Sequence, residues 1–142
     1  MLSLEGKSLA QLAAVLIGLA YAVGGVIGFA ITGFTGVVGP VGNSLLGFTL
    51  NPFHDLIHLA IGLMLLGAAT RDTAVTEGVL LGVGGIYIVA AITGFIYAHI
   101  PVITITTAGN ADNYLHLVTG ATAILAAVIS AGATGHARKS AY

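Results

Sequence analysis

The chain has 142 residues, of which 57% are hydrophobic and 6% charged, with 4 Lys+Arg against 5 Asp+Glu. Soluble domains carry about a quarter charged residues and need polar surface to coat them, so this composition argues against a water-soluble globule and for the bilayer as solvent. Cys is absent, which removes disulfides, thiolate chemistry and Cys-based metal sites; a net charge of −1 with no Lys/Arg run removes nucleic acid as a partner.

A membrane-crossing helix needs ~20 mainly apolar residues. Four such windows occur, at about 9–32, 53–70, 78–97 and 114–133. They predict an all-α fold, a four-transmembrane-helix bundle forming a single integral membrane domain over residues 1–142. The apolar run of the first window is longer than the 7 to 15 residues of a signal-peptide core, and no small-x-small cleavage site follows it, so it is expected to stay as an anchor. It contains Tyr21, near mid-membrane, and Gly24-x-x-x-Gly28, a small-x-x-x-small pattern that allows close helix crossing.

Residues 33–52 form a long, greasy outer loop with Gly33, Gly36, Gly39, Pro40, Gly42 and Gly47 among Val, Leu and Phe. Glycine and proline oppose a fifth spanning helix, and Ser44 to Thr49 suit a short interfacial turn. Such a loop either rests on the membrane face, caps the bundle or docks on another subunit, because backbone polar groups at that depth must be covered.

The second window opens with Asn51-Pro52, a helix start with Asn as N-cap and Pro at the first helical position. His54 and His58 then share one face, with His58 ~6 Å deeper. Asp55 lies in the first turn, where the helix dipole favours an acid, and it also suits an imidazole N–H. Gly62 lies one turn beyond His58 on the same face. The third window holds Gly78-x-x-x-Gly82 and a second mid-membrane tyrosine, Tyr87. Each tyrosine hydroxyl needs a partner such as a carbonyl or a threonine, whereas Tyr97 and Tyr114 suit an aromatic belt. The loop between the last two windows carries His99 and an alternating Ile/Thr run from Ile103 to Thr107 that suits an extended segment over the bundle mouth. The fourth window carries His116 and Gly120 at the spacing of His58 and Gly62.

Two internal matches point to a duplicated helical hairpin. Tyr21 to Phe29 pairs with Tyr87 to Phe95 in Tyr, Val, two small residues, a β-branched residue, Gly and Phe, 66 positions on. His58-Leu59-Ala60-Ile61-Gly62 pairs with His116-Leu117-Val118-Thr119-Gly120, 58 positions on. Two copies, about 9–70 and 78–133, are related by an axis along the membrane normal. Lys7, Arg71, Arg138 and Lys139 all fall on one side of the four windows, so the positive-inside rule predicts cytoplasmic termini in a multi-pass plasma-membrane protein.

The run from Asn51 to Gly62, an Asn-Pro-x-His-x-x-x-His pattern, resembles the hallmark segment of an actinobacterial four-helix membrane protein family classed as a domain of unknown function. Leu115 to Gly120 is similar to its second hallmark. The resemblance implies a plasma-membrane protein and supplies no activity.

Four of the five histidines, His54, His58, His99 and His116, are placed near the outer helix ends. Neutral imidazoles there, with Asp55 or Asp112, suit a metal ion; His58 and His116 as a symmetric pair suit the two axial positions of a haem, with Gly62 and Gly120 leaving room for the ring. The competing structural reading has these histidines bridging helices by hydrogen bonds and the glycines serving helix packing. No Ser-His-Asp order, phosphate loop or mid-membrane carboxylate pair supports hydrolysis, nucleotide use or ion-coupled transport. The leading expectation is a non-enzymatic interaction or accessory protein, in a homo-oligomer or a larger membrane complex; the other is a histidine-ligated haem or metal protein.

Overall fold

A computed structural model describes residues 6–34, 36–39, 42, 44–97 and 99–139. Four helices, α1 Leu9–Thr32, α2 Pro52–Ala68, α3 Thr73–Tyr97 and α4 Ala111–Lys139, form an all-α bundle. Helices α1 and α3, and α4 as far as Ala133, are each long and apolar enough to cross a membrane, while α2 is a shorter apolar helix of 17 residues. The helices pair as α1 with α2 and α3 with α4, and the two hairpins meet along α1–α4, α1–α3 and α2–α3.

Helices α3 and α4 begin earlier than the apolar windows suggested, at Thr73 and Ala111. A search for uncharged residues stops at Glu77 or at Asp112, whereas the helical backbone accepts polar residues in its first turns. At the start of α3 the Asp72 carboxylate accepts the Val75 N–H at 2.9 Å. The N-cap at α1 is a capping box: the Ser8 hydroxyl accepts the Gln11 N–H at 3.2 Å and the Gln11 side chain accepts the Ser8 N–H at 3.0 Å. The same end is tied across the bundle, with Lys7 Nζ donating to the Ala69 carbonyl at 2.9 Å and Gln11 Nε2 to the Arg71 carbonyl at 2.7 Å.

Glycines set the spacing within each hairpin. A Cβ on Gly62 would meet the backbone of Ala22 and stand 2.8 Å from the Gly18 carbonyl; one on Gly120 would stand 2.9 Å from the Gly84 carbonyl. Gly18 and Gly84 meet Gly62 and Gly120 in return, and Gly25 would place a Cβ 2.7 Å from the Asp55 carbonyl. Gly28 gives its space to the Asp55 carboxyl and Gly94 to the Asn113 amide. The α1 members Gly18, Tyr21, Gly25 and Gly28 are buried, as are Gly84, Tyr87, Ala91 and Gly94 of α3, each 66 positions later.

Two loop structures close the end at which α2 and α4 begin. Where a short interfacial turn was expected, Ser44–Leu45 (β1) and Phe48–Thr49 (β2) form an antiparallel hairpin. Leu46 and Gly47 have φ of 52° and 88°, the left-handed pair that a two-residue hairpin turn requires. Pro40, grouped with this loop in the sequence, lies outside the described residues. The Ile/Thr run, instead of a continuous extended segment, follows a 3-10 turn, Pro101–Ile103, and contributes Ile105 to an Ile100–Ile105 bridge, with Ile105 fully buried. Thr104 follows at φ 61°, reversing the chain over the bundle mouth.

Because the α1–α2 crossing is a backbone-to-backbone contact, Gly62→Val is expected to lower the unfolding midpoint in mild detergent, at a cost of about 1–3 kcal/mol. Gly78→Ala adds a Cβ where nothing lies within 4 Å and should leave the midpoint level or slightly higher. Equal midpoints for Gly62→Val and the parent protein would refute the close crossing.

Candidate functional site

The crossing geometry sends α2 and α4 side chains into the middle of the bundle. Tyr21 of α1 and Tyr87 of α3 meet with ring centroids 5.2 Å apart. His58 packs its ring on Tyr21 at 4.8 Å, and His116 stacks on Tyr87 at 5.1 Å. His58 and His116 face one another at 6.4 Å, and His54 lies 4.2 Å from His58 and 5.8 Å from His116. One ring nitrogen from each of His54, His58 and His116 falls in a group whose members all lie within 4.8 Å of one another.

Each ring is oriented by neighbours that follow from local sequence. Asn51 caps α2 as expected, accepting the His54 N–H on Oδ1 at 2.7 Å, with Pro52 at the first position. Its amide also donates to the Pro101 and Val102 carbonyls at 3.3 and 3.1 Å, which fastens the 3-10 turn to the start of α2. Thr104 Oγ1 lies 3.1 Å from His54 Nδ1 and within 2.8 Å of the Thr49 carbonyl and 2.7 Å of its neighbour Ile103's. A hydroxyl has a single proton. With two carbonyls competing for it, Oγ1 accepts from His54, so Nδ1 carries the hydrogen and Nε2 keeps its lone pair. His58 Nε2 and His116 Nδ1 are buried with no hydrogen-bond partner.

The remaining expected residues divide. Tyr21 finds the threonine that its position required, Thr119, with the two hydroxyls 2.9 Å apart, whereas the Tyr87 hydroxyl is buried without a partner. Asp55 turns away from the imidazoles: its Oδ2 accepts from the Thr32 hydroxyl at 3.1 Å on α1. His99 is exposed in the connection after α3 and lies outside the three-histidine group. Gly62 and Gly120 face α1 and α3 backbone, so they make no room for a porphyrin. Tyr21, Tyr87 and His54 pack against His58 and His116, and the cavities beside this cluster, about 130 and 140 Å³, are too small for a haem.

A single metal ion fits better. A zinc site with bonds of ~2.0–2.1 Å would draw the three ligand nitrogens closer than 4.8 Å, and three histidines with one open position is a known zinc arrangement. The Thr104–His54 contact supplies the outer hydrogen bond that ligating imidazoles usually have. Thr104 carried no sequence signal beyond its place in the alternating Ile/Thr run. Asp112 carried more, since it stands 58 positions after His54, the interval between His58 and His116.

Thr104→Val removes the acceptor for His54 Nδ1–H and the hydroxyl that donates to the Thr49 carbonyl. A stability loss of about 1–3 kcal/mol is expected, together with loss of the single His54 tautomer in imidazole ¹⁵N NMR, and Thr104→Ser should restore both. A His54 tautomer indifferent to Thr104→Val would refute the assignment.

No curated protein and no solved structure matches the chain. Residues 11–129, from the first turn of α1 through most of α4, match the family described as Domain of unknown function (DUF4383), and the chain belongs to that family.

Proposed function

We propose that this protein is a multi-pass membrane protein that holds one divalent transition-metal ion, of the zinc or copper class, through His54, His58 and His116. The observation that carries this reading is the set of three histidines offering ring nitrogens within 4.8 Å of one another, two of which, His58 and His116, each have a buried ring nitrogen without a protein partner. Structural histidines in a low-dielectric interior pair with carbonyls or hydroxyls, because an unmet polar atom there costs free energy. Three convergent, mostly unmet imidazoles are what a cation compensates. Imidazole suits Zn²⁺, Cu²⁺ and Ni²⁺, and the chain has no Cys to favour softer ions.

The matched buried positions of α1 and α3, and the glycine contacts Gly18–Gly62 and Gly84–Gly120, support a duplicated hairpin as the scaffold. The one-sided Lys7, Arg71, Arg138 and Lys139 support cytoplasmic termini in the plasma membrane, with the metal toward the outer face. A reporter fused between Arg71 and Glu77 should report a cytoplasmic position; an external one would invert the topology.

Chelator-stripped protein in detergent should take up about one equivalent of Zn²⁺ or Co²⁺ per chain, with Co²⁺ giving tetrahedral d–d absorption. His58→Ala and His116→Ala should each weaken uptake at least about 100-fold, while His99→Ala should not. Absence of stoichiometric uptake of any of Zn²⁺, Cu²⁺, Ni²⁺ and Co²⁺ would overturn the reading.

A second reading, as an accessory subunit or homo-oligomer, is supported by α3. Gly78, Gly82 and Gly85 follow one another at helical spacing, and a Cβ on any of them would meet nothing. Gly24 is likewise open, whereas its motif partner Gly28 is filled by Asp55. Native mass spectrometry in mild detergent should show an assembly larger than one chain; a strict monomer with no companion would remove this reading.

A further inference from the structure

We propose that the cavity between α1, α2, α4 and the β1–β2 hairpin is a binding site for a small membrane-borne molecule with a single ring and a hydroxyl group, such as a phenol or a quinol. The cavity measures about 130 Å³. An engineered apolar cavity of ~150 Å³ takes up benzene, so one ring is the right size. Its wall is apolar, with Leu45, Phe48 and Leu50 from the hairpin side, Ala20 from α1 and Leu115 from α4.

Gly24 marks this space. Its neighbours Gly25 and Gly28 lack side chains because α2 presses against them, but a Cβ on Gly24 would touch nothing within 4 Å, and Gly24 lines the cavity. The missing side chain here enlarges the cavity.

Asp112 supplies the polar end. It is 1% exposed, lines the cavity, and its Oδ2 has no hydrogen-bond partner. It lies in the first turn of α4. The unmet lone pairs of Oδ2 can accept a hydrogen bond from an occupant that carries an O–H. Of the other polar groups in this wall, Asp55 is engaged with Thr32, Tyr21 with Thr119 and His54 with Thr104, while His58 Nε2 is unpartnered like Asp112 Oδ2. His54 and His58 line this cavity and His116 the one beside it, so the test is made on metal-free protein.

Metal-free protein in lipid nanodiscs can be titrated with 4-fluorophenol and 4-fluoroanisole, observed by ¹⁹F NMR against empty nanodiscs. Saturable binding of 4-fluorophenol is expected, with the anisole, which has no donor, about tenfold weaker. Asp112→Asn should erase that preference, and Gly24→Leu, checked for a retained unfolding transition, should abolish binding of both probes. No saturable binding, equal affinity for the two probes, or phenol binding unaffected by Gly24→Leu would overturn the proposal. Because the titration uses metal-free protein, its outcome is independent of whether His54, His58 and His116 bind a cation.

Discussion

Everything at the centre of this bundle depends on how closely two pairs of helices can approach. In hydrocarbon no hydrophobic gain draws helices together, so association rests on dispersion and on backbone polar contacts, both of which need short distances. Gly18 against Gly62, and Gly84 against Gly120, allow those distances. With α1 drawn onto α2 and α3 onto α4, the rings one turn away have only the bundle axis to fill. Tyr21, Tyr87, His58 and His116 stack there for that reason.

The arrangement reverses the usual role of a membrane core. Buried polar residues in transmembrane helices usually join one helix to another by paired hydrogen bonds. Here the pairing is uneven: Tyr21 has Thr119, His54 has Thr104, yet the Tyr87 hydroxyl, His58 Nε2 and His116 Nδ1 have none. Those unmet atoms set the site apart from ordinary helix glue.

What could be read from sequence was local or periodic. Asn51-Pro52 announces a helix start by its own chemistry, and the cap forms as expected. Four apolar windows give four helices, and the spacing of His58 from Gly62 recurs in His116 and Gly120. The same glycines, however, were ambiguous between ligand space and helix contact, because spacing along one helix does not say which neighbour lies opposite. Asp55 was ambiguous in the same way and turns to Thr32 on α1. Thr104 was invisible, since its importance comes from a backbone reversal that brings it over His54, 50 residues away in sequence. The β1–β2 hairpin escaped notice because a two-residue strand has no periodicity to detect.

The modest length of α2 has a mechanical consequence for the surrounding lipid. At 17 residues it spans ~26 Å, against ~36 Å for the 24 residues of α1. Lipids beside α1 and α3 meet a tall apolar wall, while those beside α2 meet a lower one topped by the loops over Asn51. The protein therefore presents a graded height around its rim, and the bilayer must thin on one flank or the bundle must tilt toward it, at a fraction of a kcal/mol per ångström of mismatch. Such a lopsided rim favours thinner membranes and gives the bundle a preferred lean.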